Sequence, residues 1–379
     1  MLEALERHPN ARAVLGPALG LGPAHHPDHR PSHAYLFHGP GGAGKRTIAR
    51  EFAARLLAQG APDPSSSQAR ALAGVHPDLT WVVPSGAHEI LVSDIDQPVV
   101  AAATRTPFES ERRVFVIESA DQLGDEAANR LLKTLEEPAS FVHLILISDR
   151  LGDVLPTIRS RCQVVRFDPP SVAELAAELA AAGTEAAAAE AYARLSLGDA
   201  GRARELAGPE GGELRELSRA LVRRALAGEV GAAAPWDGLL ASVRARGERL
   251  RVELEERQAA ELELLPSRER KRAETEWGER VRRLRRRVET GALELALDLV
   301  ETWLLDLVAL THGAVDLVRN ADRLSELRAD SDVGRGADAA ALRRAIELVE
   351  DTRQRFGLNV SEDLALEALT YRLAHVLAA

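Results

Sequence analysis

The sequence is nearly free of cysteine, the residue that forms disulfides in small secreted proteins and binds zinc in many small modules. A single cysteine, Cys162, occurs in 379 residues, which excludes an intrachain disulfide and a cysteine-cluster zinc site. Aromatic residues make up only 4% of the chain, so its cores must be built from alanine, leucine and valine, a composition that suits helices.

Long apolar segments are also missing. No apolar run reaches the ~20 residues needed to span a bilayer, and the first residues lack the charged-then-apolar pattern of a secretion signal. We therefore expect a cytoplasmic protein without a membrane partner. The net charge of −10 argues against a general nucleic-acid coat, although local patches can still bind phosphate.

The length of the chain predicts two or three domains. Between residues 34 and 168, the runs AYLFHG, DLTWVVP, RVFVIES and VHLILIS predict buried strands. RTIAREFAARLLAQ and DEAANRLLKTLEE lie between such runs and predict amphipathic helices. Strands that alternate with helices indicate a parallel α/β sheet. The segment APDPSSSQAR at 61–70 predicts a flexible surface loop.

The pattern changes after Pro169 and Pro170. Ser171 and Glu174 form an S-x-x-E capping box that opens an Ala/Leu-rich helix, and no strand signal follows it. We divide the chain into an α/β domain over 1–168, a small helical domain over 169–210 and an all-helical domain over 211–379.

A charged helical hairpin is predicted at 243–289, with its tip at Leu265, Pro266 and Ser267. Its second arm, 268–287, carries ten Arg/Lys against four Glu. Interleaved charge favours a solvated, coiled-coil-like hairpin, since mixed charge is typical of an exposed helical face. A basic prong that contacts nucleic acid is the alternative.

A glycine-rich segment follows the first predicted strand and precedes the first long helix. It reads Gly39-Pro40-Gly41-Gly42-Ala43-Gly44-Lys45, which is the G-x-x-x-x-G-K pattern of a P-loop in its required context. The glycines let backbone N–H groups converge on phosphate oxygens, and the helix N-terminus adds its dipole. The candidate nucleotide-binding residues are Gly39, Gly41, Gly42, Gly44, Lys45 and Thr47.

The metal-binding half of this site departs from the usual pattern twice. The residue after the lysine should be Ser or Thr, whose hydroxyl holds Mg²⁺, but Arg46 stands there. Thr47 stands one position after the usual hydroxyl residue. Because successive helical residues point about 100° apart, its side chain leaves the helix in a different direction. An Asp-Glu pair should follow the strand RVFVI, but the residues are Glu118 and Ser119. Glu118 is at most a weak remnant of a Mg²⁺ site, so hydrolysis is predicted to be weak or absent.

Several segments together resemble a known family. HAYLFHGPGGAGKRTIA, GVHPDL, VFVIESADQLGDEAANRLLKTLEEP and, above all, LPTIRSRCQVVRF are similar to bacterial clamp-loader AAA+ proteins, especially those of the delta-prime type. The similarity covers residues 30–210 well and 290–379 loosely, and the hairpin reads as an insertion. The resemblance implies an AAA+ P-loop domain, a helical lid and an all-helical collar for oligomerisation in the three ranges given above.

The resemblance also implies a function. The family forms an ATP-driven hetero-pentamer that opens the ring-shaped sliding clamp and places it on primed DNA, as part of the DNA polymerase III holoenzyme. A delta-prime-type subunit is a rigid partner of the motor ATPase and delta-type subunits and has little hydrolysis of its own. No polymerase active site is detectable in this chain.

One motif gives this role a chemical basis. Ser160-Arg161-Cys162 matches the family's Ser-Arg-Cys motif, so Arg161 would project into a neighbour's ATP site as a trans arginine finger, with Ser160 beside it. Such fingers are worth ~10³–10⁵ in rate because the guanidinium stabilises charge on the transferring phosphoryl group. Arg159 is the competing candidate, and a surface ion pair is the alternative reading of Arg161.

The remaining expectations concern ligands and a competing function. Gly201-Arg202 resembles the lid motif whose arginine can approach nucleotide, and a solvated arginine at a helix end is the alternative. Relatives often carry a four-cysteine zinc module, but 59–75 has no cysteine, so no zinc is expected. ATP binding stays open, and Mg²⁺ is not expected. A catalytically active AAA+ ATPase, of the motor type or of repair, is the competing function, and Arg46 and Ser119 argue against it.

Overall fold

The structure is a computed structural model and describes residues 3–20, 31–86, 89–231, 234–263, 267–333, 338–356 and 360–378. The chain divides into two compact units, Met1–Pro169 and Pro170–Ala379. The finer division of the second unit into a lid and a collar stays a prediction.

The first unit is built on a five-stranded sheet in which every neighbouring pair runs parallel. The strand order is β2-β3-β4-β1-β5, and the predicted parallel α/β sheet is therefore confirmed. The sequence signal missed the last strand because its residues are mostly exposed and form no buried apolar run. The strands are β1 (Ala34–His38), β2 (Leu79–Val82), β3 (Arg113–Ile117), β4 (Val142–Ser148) and β5 (Gln163–Arg166).

Helices cover both faces of this sheet, which explains why all of β4 is buried. Successive β1 residues point to opposite faces: Phe37 packs with Phe52 in one apolar core, and Leu36 packs with Leu131 in the other. The helices are α1 (Glu3–Glu6), α2 (Pro9–Ala18), α3 (Lys45–Ala58), α4 (Pro64–Leu72), α5 (Val92–Ile95), α6 (Asp125–Glu136) and α7 (Pro156–Arg159), with a π-helical turn at Asp96–Ala101 and 3₁₀ turns at Ala120–Gln122 and Leu151–Asp153.

The flexible loop predicted at 61–70 is wrong, because most of this segment belongs to α4. Asp63 caps the helix by accepting a hydrogen bond from Ser66 N at 3.1 Å, and Pro64 supplies a φ suited to the first helical turn. Ser67 Oγ lies 2.9 Å from Nε2 of the buried His76. Proline and serine therefore open a helix here, where their abundance suggested a loop.

Within its described residues, the second unit consists of helices, 3₁₀ turns and the loops that join them. The predicted capping box is present, since Ser171 Oγ accepts from Glu174 N at 3.2 Å and Ser171 N donates to Glu174 Oε2 at 2.8 Å. Its large apolar core includes Trp303 and Leu369, and a smaller apolar cluster, which includes Leu175 and Leu179, lies in its first helices. Its helices are α8 (Val172–Ala181), α9 (Ala186–Leu195), α10 (Ala200–Ala207), α11 (Pro209–Ala227), α12 (Pro235–Glu263), α13 (Ser267–Thr311), α14 (Leu324–Val333), α15 (Ala339–Phe356) and α16 (Glu362–Leu377), with 3₁₀ turns at Val315–Leu317 and Ala321–Arg323.

Helices α12 and α13 form the predicted hairpin, and residues 264–266 of its tip lie outside the described residues. An ion pair between Arg285 Nη1 and Glu248 Oε2 at 3.3 Å joins the two arms. Arg251 pairs with Glu248 and Glu255 along the first arm. These pairs neutralise charge within the hairpin, and the choice between a solvated hairpin and a basic prong stays a prediction. Among the described helices, none is both long and apolar enough to cross a membrane.

Candidate functional site

The glycine-rich loop connects β1 to α3 at the carboxyl edge of the sheet. Gly39 has φ +148°, and a Cβ built on it would lie 2.2 Å from the carbonyl oxygen of Phe167. Gly44 has φ +80° and stands directly before α3. Only glycine tolerates both the left-handed backbone and, at Gly39, the close approach of Phe167, the residue that follows β5. The local fold therefore explains these two positions of the motif.

The loop also leaves a group of backbone donors free. Ala43 N donates to Pro40 O at 3.4 Å, and the first helical bond that α3 makes back to the loop runs from Ile48 N to Gly44 O at 3.0 Å. Within the described part of the chain, the N–H groups of residues 44–47 have no backbone acceptor. Uncapped N–H groups at a helix N-terminus form a cradle for an anion, and Gly41 and Gly42 line the same loop.

Lys45 is held inside this loop and is only 4% exposed. Its Nζ donates to the carbonyl oxygens of Gly39 and Pro40, each at 2.5 Å. It also lies 2.8 Å from Oδ1 of Asp149, the residue that directly follows β4. A bound phosphate would therefore compete with Asp149 for the ammonium group. Sequence reasoning missed Asp149, although its position after the run VHLILIS was a usable signal.

Arg46 and Glu118 form an ion pair beside the cradle. Arg46 Nη2 lies 2.6 Å from Glu118 Oε2, and the indole Nε1 of Trp81 donates to Glu118 Oε1 at 2.7 Å. Both oxygens of this carboxylate are thus engaged, and its side chain is only 8% exposed. Sequence reasoning singled out Arg46 and Glu118 separately but missed their contact and the part of Trp81.

These residues do not fit Mg²⁺. The ion needs oxygen ligands in near-octahedral geometry, but a guanidinium stands against the acidic residue that would be its ligand. Thr47 is exposed on α3, one position past the place of the usual hydroxyl ligand. Ser119, with φ 55°, supplies no carboxylate to activate water. The site therefore combines an anion cradle with a metal side closed by an arginine.

Arg161 lies elsewhere on the first unit and takes no part in these contacts. It follows α7, and its Nη1 donates to Thr157 O at 2.9 Å and lies 3.3 Å from Ser160 Oγ. Its Nη2 pairs with the exposed carboxylate of Glu136 at the end of α6. The guanidinium is thus held at the surface by one acidic partner.

Arg159 and Cys162 lie close to Arg161 in the sequence. Arg159 is exposed, as Arg161 is, so exposure alone does not discriminate between the two arginines. Burial raises the pKa of the Cys162 thiol to about 12, which fits a packing residue and not a nucleophile.

Arg202 lies in the second unit, at the start of α10. Its Nη1 donates to Asp298 Oδ2 on α13 at 2.5 Å, and Arg353 Nη2 donates to the other oxygen of Asp298 at 2.6 Å. Arg202 is therefore an ion-paired residue within its own unit, and the nucleotide contact suggested for it stays a prediction.

The segment GVHPDL places two buried polar residues at the amino edge of the sheet. The Asp78 carboxylate accepts hydrogen bonds from the backbone N–H groups of Phe108, Glu109 and Ser110 at 2.5, 3.0 and 3.0 Å. Asp78 N donates to Nδ1 of His76 at 3.1 Å. Burial lowers the pKa of His76, and the charges of Glu109 and Asp78 oppose this shift. These bonds fix the loop that leads into β3.

The strand order, the P-loop and the acidic residue at the end of β3 define the first unit as an AAA+ type P-loop domain. The family model described as "DNA polymerase III, delta subunit" matches residues 25–171. This region is therefore similar to DNA polymerase III delta-type subunits, and the resemblance seen in the sequence is confirmed over it.

Curated relatives show the same similarity. DNA polymerase III subunit delta' of Pseudomonas aeruginosa is 39% identical over 136 residues, which are 35% of this chain and 42% of the relative. The Bacillus subtilis subunit delta' is 39% identical over 144 residues, 37% of this chain and 43% of the relative. Subunit tau of the same organism is 35% identical over 145 residues, 36% and 24% of the two chains. The matches thus span less than half the length of each relative.

Proposed function

We propose that this chain is a delta-prime-type subunit of the bacterial replicative clamp loader. In the cytoplasm it would assemble with motor ATPase and delta-type subunits into a hetero-pentamer that loads the sliding clamp onto primed DNA. The observation that carries the proposal is a combination within one domain: the P-loop has its metal side closed by Arg46, while Arg161 stands exposed for use by a neighbour.

The position of Arg161 suits a group that acts in trans. Its ion pair with Glu136 is exposed, and such surface pairs contribute only about 0–1 kcal/mol, so exchanging Glu136 for a phosphate costs little. Hydrogen bonds from a guanidinium to phosphate are charge-assisted and frequently bidentate. Arg161 would stabilise the charge that develops on the phosphoryl group in the neighbour's site, and Ser160 would hold the turn that presents it.

The chain's own P-loop has a different role in this proposal. Without a metal ligand after Lys45 and without a base at Ser119, it contributes little or no hydrolysis. ATP is a candidate ligand of the cradle formed by Gly39, Gly41, Gly42, Gly44 and Lys45. Any polymerase activity belongs to the DNA polymerase III complex and not to this chain.

Reconstitution of the complex with Arg161→Ala tests the proposal. DNA-stimulated ATP turnover at the neighbour's site should fall by ~10³-fold or more, while assembly, followed by size-exclusion chromatography, should be unchanged. Arg159→Ala is the matched control and should retain the rate. An unchanged rate with Arg161→Ala would contradict the assignment of the finger, and a loss confined to Arg159→Ala would transfer it to that residue.

Turnover by the isolated chain tests the competing function. We expect no Mg²⁺-dependent hydrolysis, and Lys45→Ala in the reconstituted complex should leave the ATPase rate unchanged. Robust turnover that Lys45→Ala abolishes would instead identify a motor-type ATPase.

A further inference from the structure

We propose that Arg46 takes the place of Mg²⁺ in this P-loop, so that the chain binds nucleoside polyphosphate without a divalent cation. The inference rests on the phosphate cradle of the proposed function. It does not depend on the arginine finger or on assembly with other subunits.

The first step concerns the acidic residue. In a metal-dependent P-loop, a carboxylate at the end of the central strand helps to hold the cation beside the phosphates. Here Glu118 is buried, with Trp81 Nε1 at 2.7 Å from one oxygen and Arg46 Nη2 at 2.6 Å from the other. A metal would have to displace one of these donors from a carboxylate whose two oxygens are both engaged, and the charge-assisted hydrogen bond of that donor would be lost in the exchange.

The second step concerns the free side of Arg46. Its side chain is 67% exposed while it contacts Glu118, and it begins in the first turn of α3, next to the uncapped N–H groups of residues 44–47. A guanidinium carries five N–H donors, and one of its terminal nitrogens faces Glu118. The remaining donors are open to an anion. Arg46 can therefore bridge a carboxylate and a phosphate, as the cation does in other P-loops.

The third step is charge. Lys45 pairs with Asp149 at 2.8 Å, and Arg46 pairs with Glu118 at 2.6 Å. The charges of these four side chains therefore sum to zero without a ligand. A free polyphosphate competes with Asp149 for Lys45 and gains the open donors of Arg46. A nucleotide already carrying Mg²⁺ brings a second cation towards Arg46, and the two repel each other. Mg²⁺ should therefore not tighten binding.

Isothermal titration calorimetry of the full chain with ATP, in EDTA and in millimolar Mg²⁺, tests this inference. We expect binding in EDTA and a dissociation constant in Mg²⁺ that is equal or weaker. Arg46→Ser restores the G-K-S sequence of a metal-dependent P-loop, and its affinity for ATP should be at least about tenfold higher in Mg²⁺ than in EDTA. Arg46→Lys should keep the metal-independent binding, since it retains a cation at the site.

Arg55→Ser is the matched control, because it makes the same change at the other end of α3, and it should behave like the wild-type chain. The inference is overturned if the wild-type chain binds ATP about tenfold more tightly in Mg²⁺, if it binds in neither buffer, or if Arg46→Ser stays indifferent to the metal. None of these results alters the expected effect of Arg161→Ala, so failure here is distinguishable from failure of the clamp-loader role.

Discussion

A buried histidine should make the first unit lose stability below neutral pH. His143 lies on β4, is 3% exposed, and its Nδ1 lies 2.9 Å from the carbonyl oxygen of Ser32, to which it donates. Its ring stacks on His33 with 5.6 Å between centroids. Burial is the main cause that lowers the pKa of His143 from 6.5 to about 4, and the positive charge of Arg112 adds to the shift.

The direction of the pH dependence of stability follows from proton linkage. The unfolded chain takes up a proton at His143 once the pH falls below about 6.5, whereas the folded chain does so only near pH 4. Between these values the unfolded state binds more protons, so the free energy of unfolding falls as the pH falls. These two pKa values give a loss of about 2 kcal/mol between pH 7 and pH 5 from this residue alone.

The variant His143→Asn isolates this contribution from the carboxylates that titrate in the same range. Asparagine can place an N–H donor where Nδ1 stands, and it does not titrate. Between pH 7 and pH 5 the wild-type chain should lose about 2 kcal/mol more than the variant, equivalent to an extra midpoint shift of about 1 M urea.

The single cysteine provides an assay confined to the first unit. Cys162 packs against an apolar core, and burial raises the pKa of its thiol to about 12, so it should react slowly until the unit unfolds. Pulse labelling with a pyridyl disulfide after equilibration in urea, at pH 7 and at pH 5, then gives the two midpoints. Equal pH dependence of the wild-type chain and His143→Asn would refute the argument.

Two further substitutions test the backbone of the P-loop and the core of the second unit. Gly39→Ala should destabilise the first unit by about 3 kcal/mol or more, measured by the same labelling, because the new Cβ would lie 2.2 Å from Phe167 O. Gly152→Ala, which has open space around it, should stay within about 0.5 kcal/mol. Arg215→Ala should lower the free energy of unfolding of the second unit by about 3–5 kcal/mol, because the buried guanidinium donates to Asp322 and Asn320 at 2.7–3.1 Å. Chemical denaturation followed by circular dichroism measures this loss. The exposed Arg224→Ala is its control, and a similar loss for both variants would count against the buried network.

Much of the first unit could be predicted because its signals are local. β1, β3 and β4 are continuous apolar runs, and a central parallel strand needs such a run to be buried on both faces. The strand–loop–helix context of Gly39–Lys45 was likewise contained in one stretch of sequence. In the second unit, the capping box of Ser171 and Glu174 spans four residues and is local as well.

The parts that escaped prediction depend on contacts between distant residues. Arg46 meets Glu118, and Lys45 meets Asp149, only because parallel strands end at the same edge of the sheet. Local sequence could show that an arginine stands where a metal-dependent P-loop has Ser or Thr, but it could not show the arginine's partner. Segment 61–70 differs, because its helix signals were local: Asp63 caps α4 and Pro64 opens it. The contact of Ser67 with His76 adds support from beyond the segment's end.

The loop bound by Asp78 presents the exposed side chain of Phe108 on an ordered backbone. One buried carboxylate binds three successive N–H groups, so the backbone that carries Phe108 is already ordered. Phe108 is 83% exposed, and only its side-chain torsions remain free. A surface that covers this ring gains apolar burial without the entropic cost of ordering a loop. In water the same side chain is an exposed apolar group on an ordered backbone at the amino edge of the sheet.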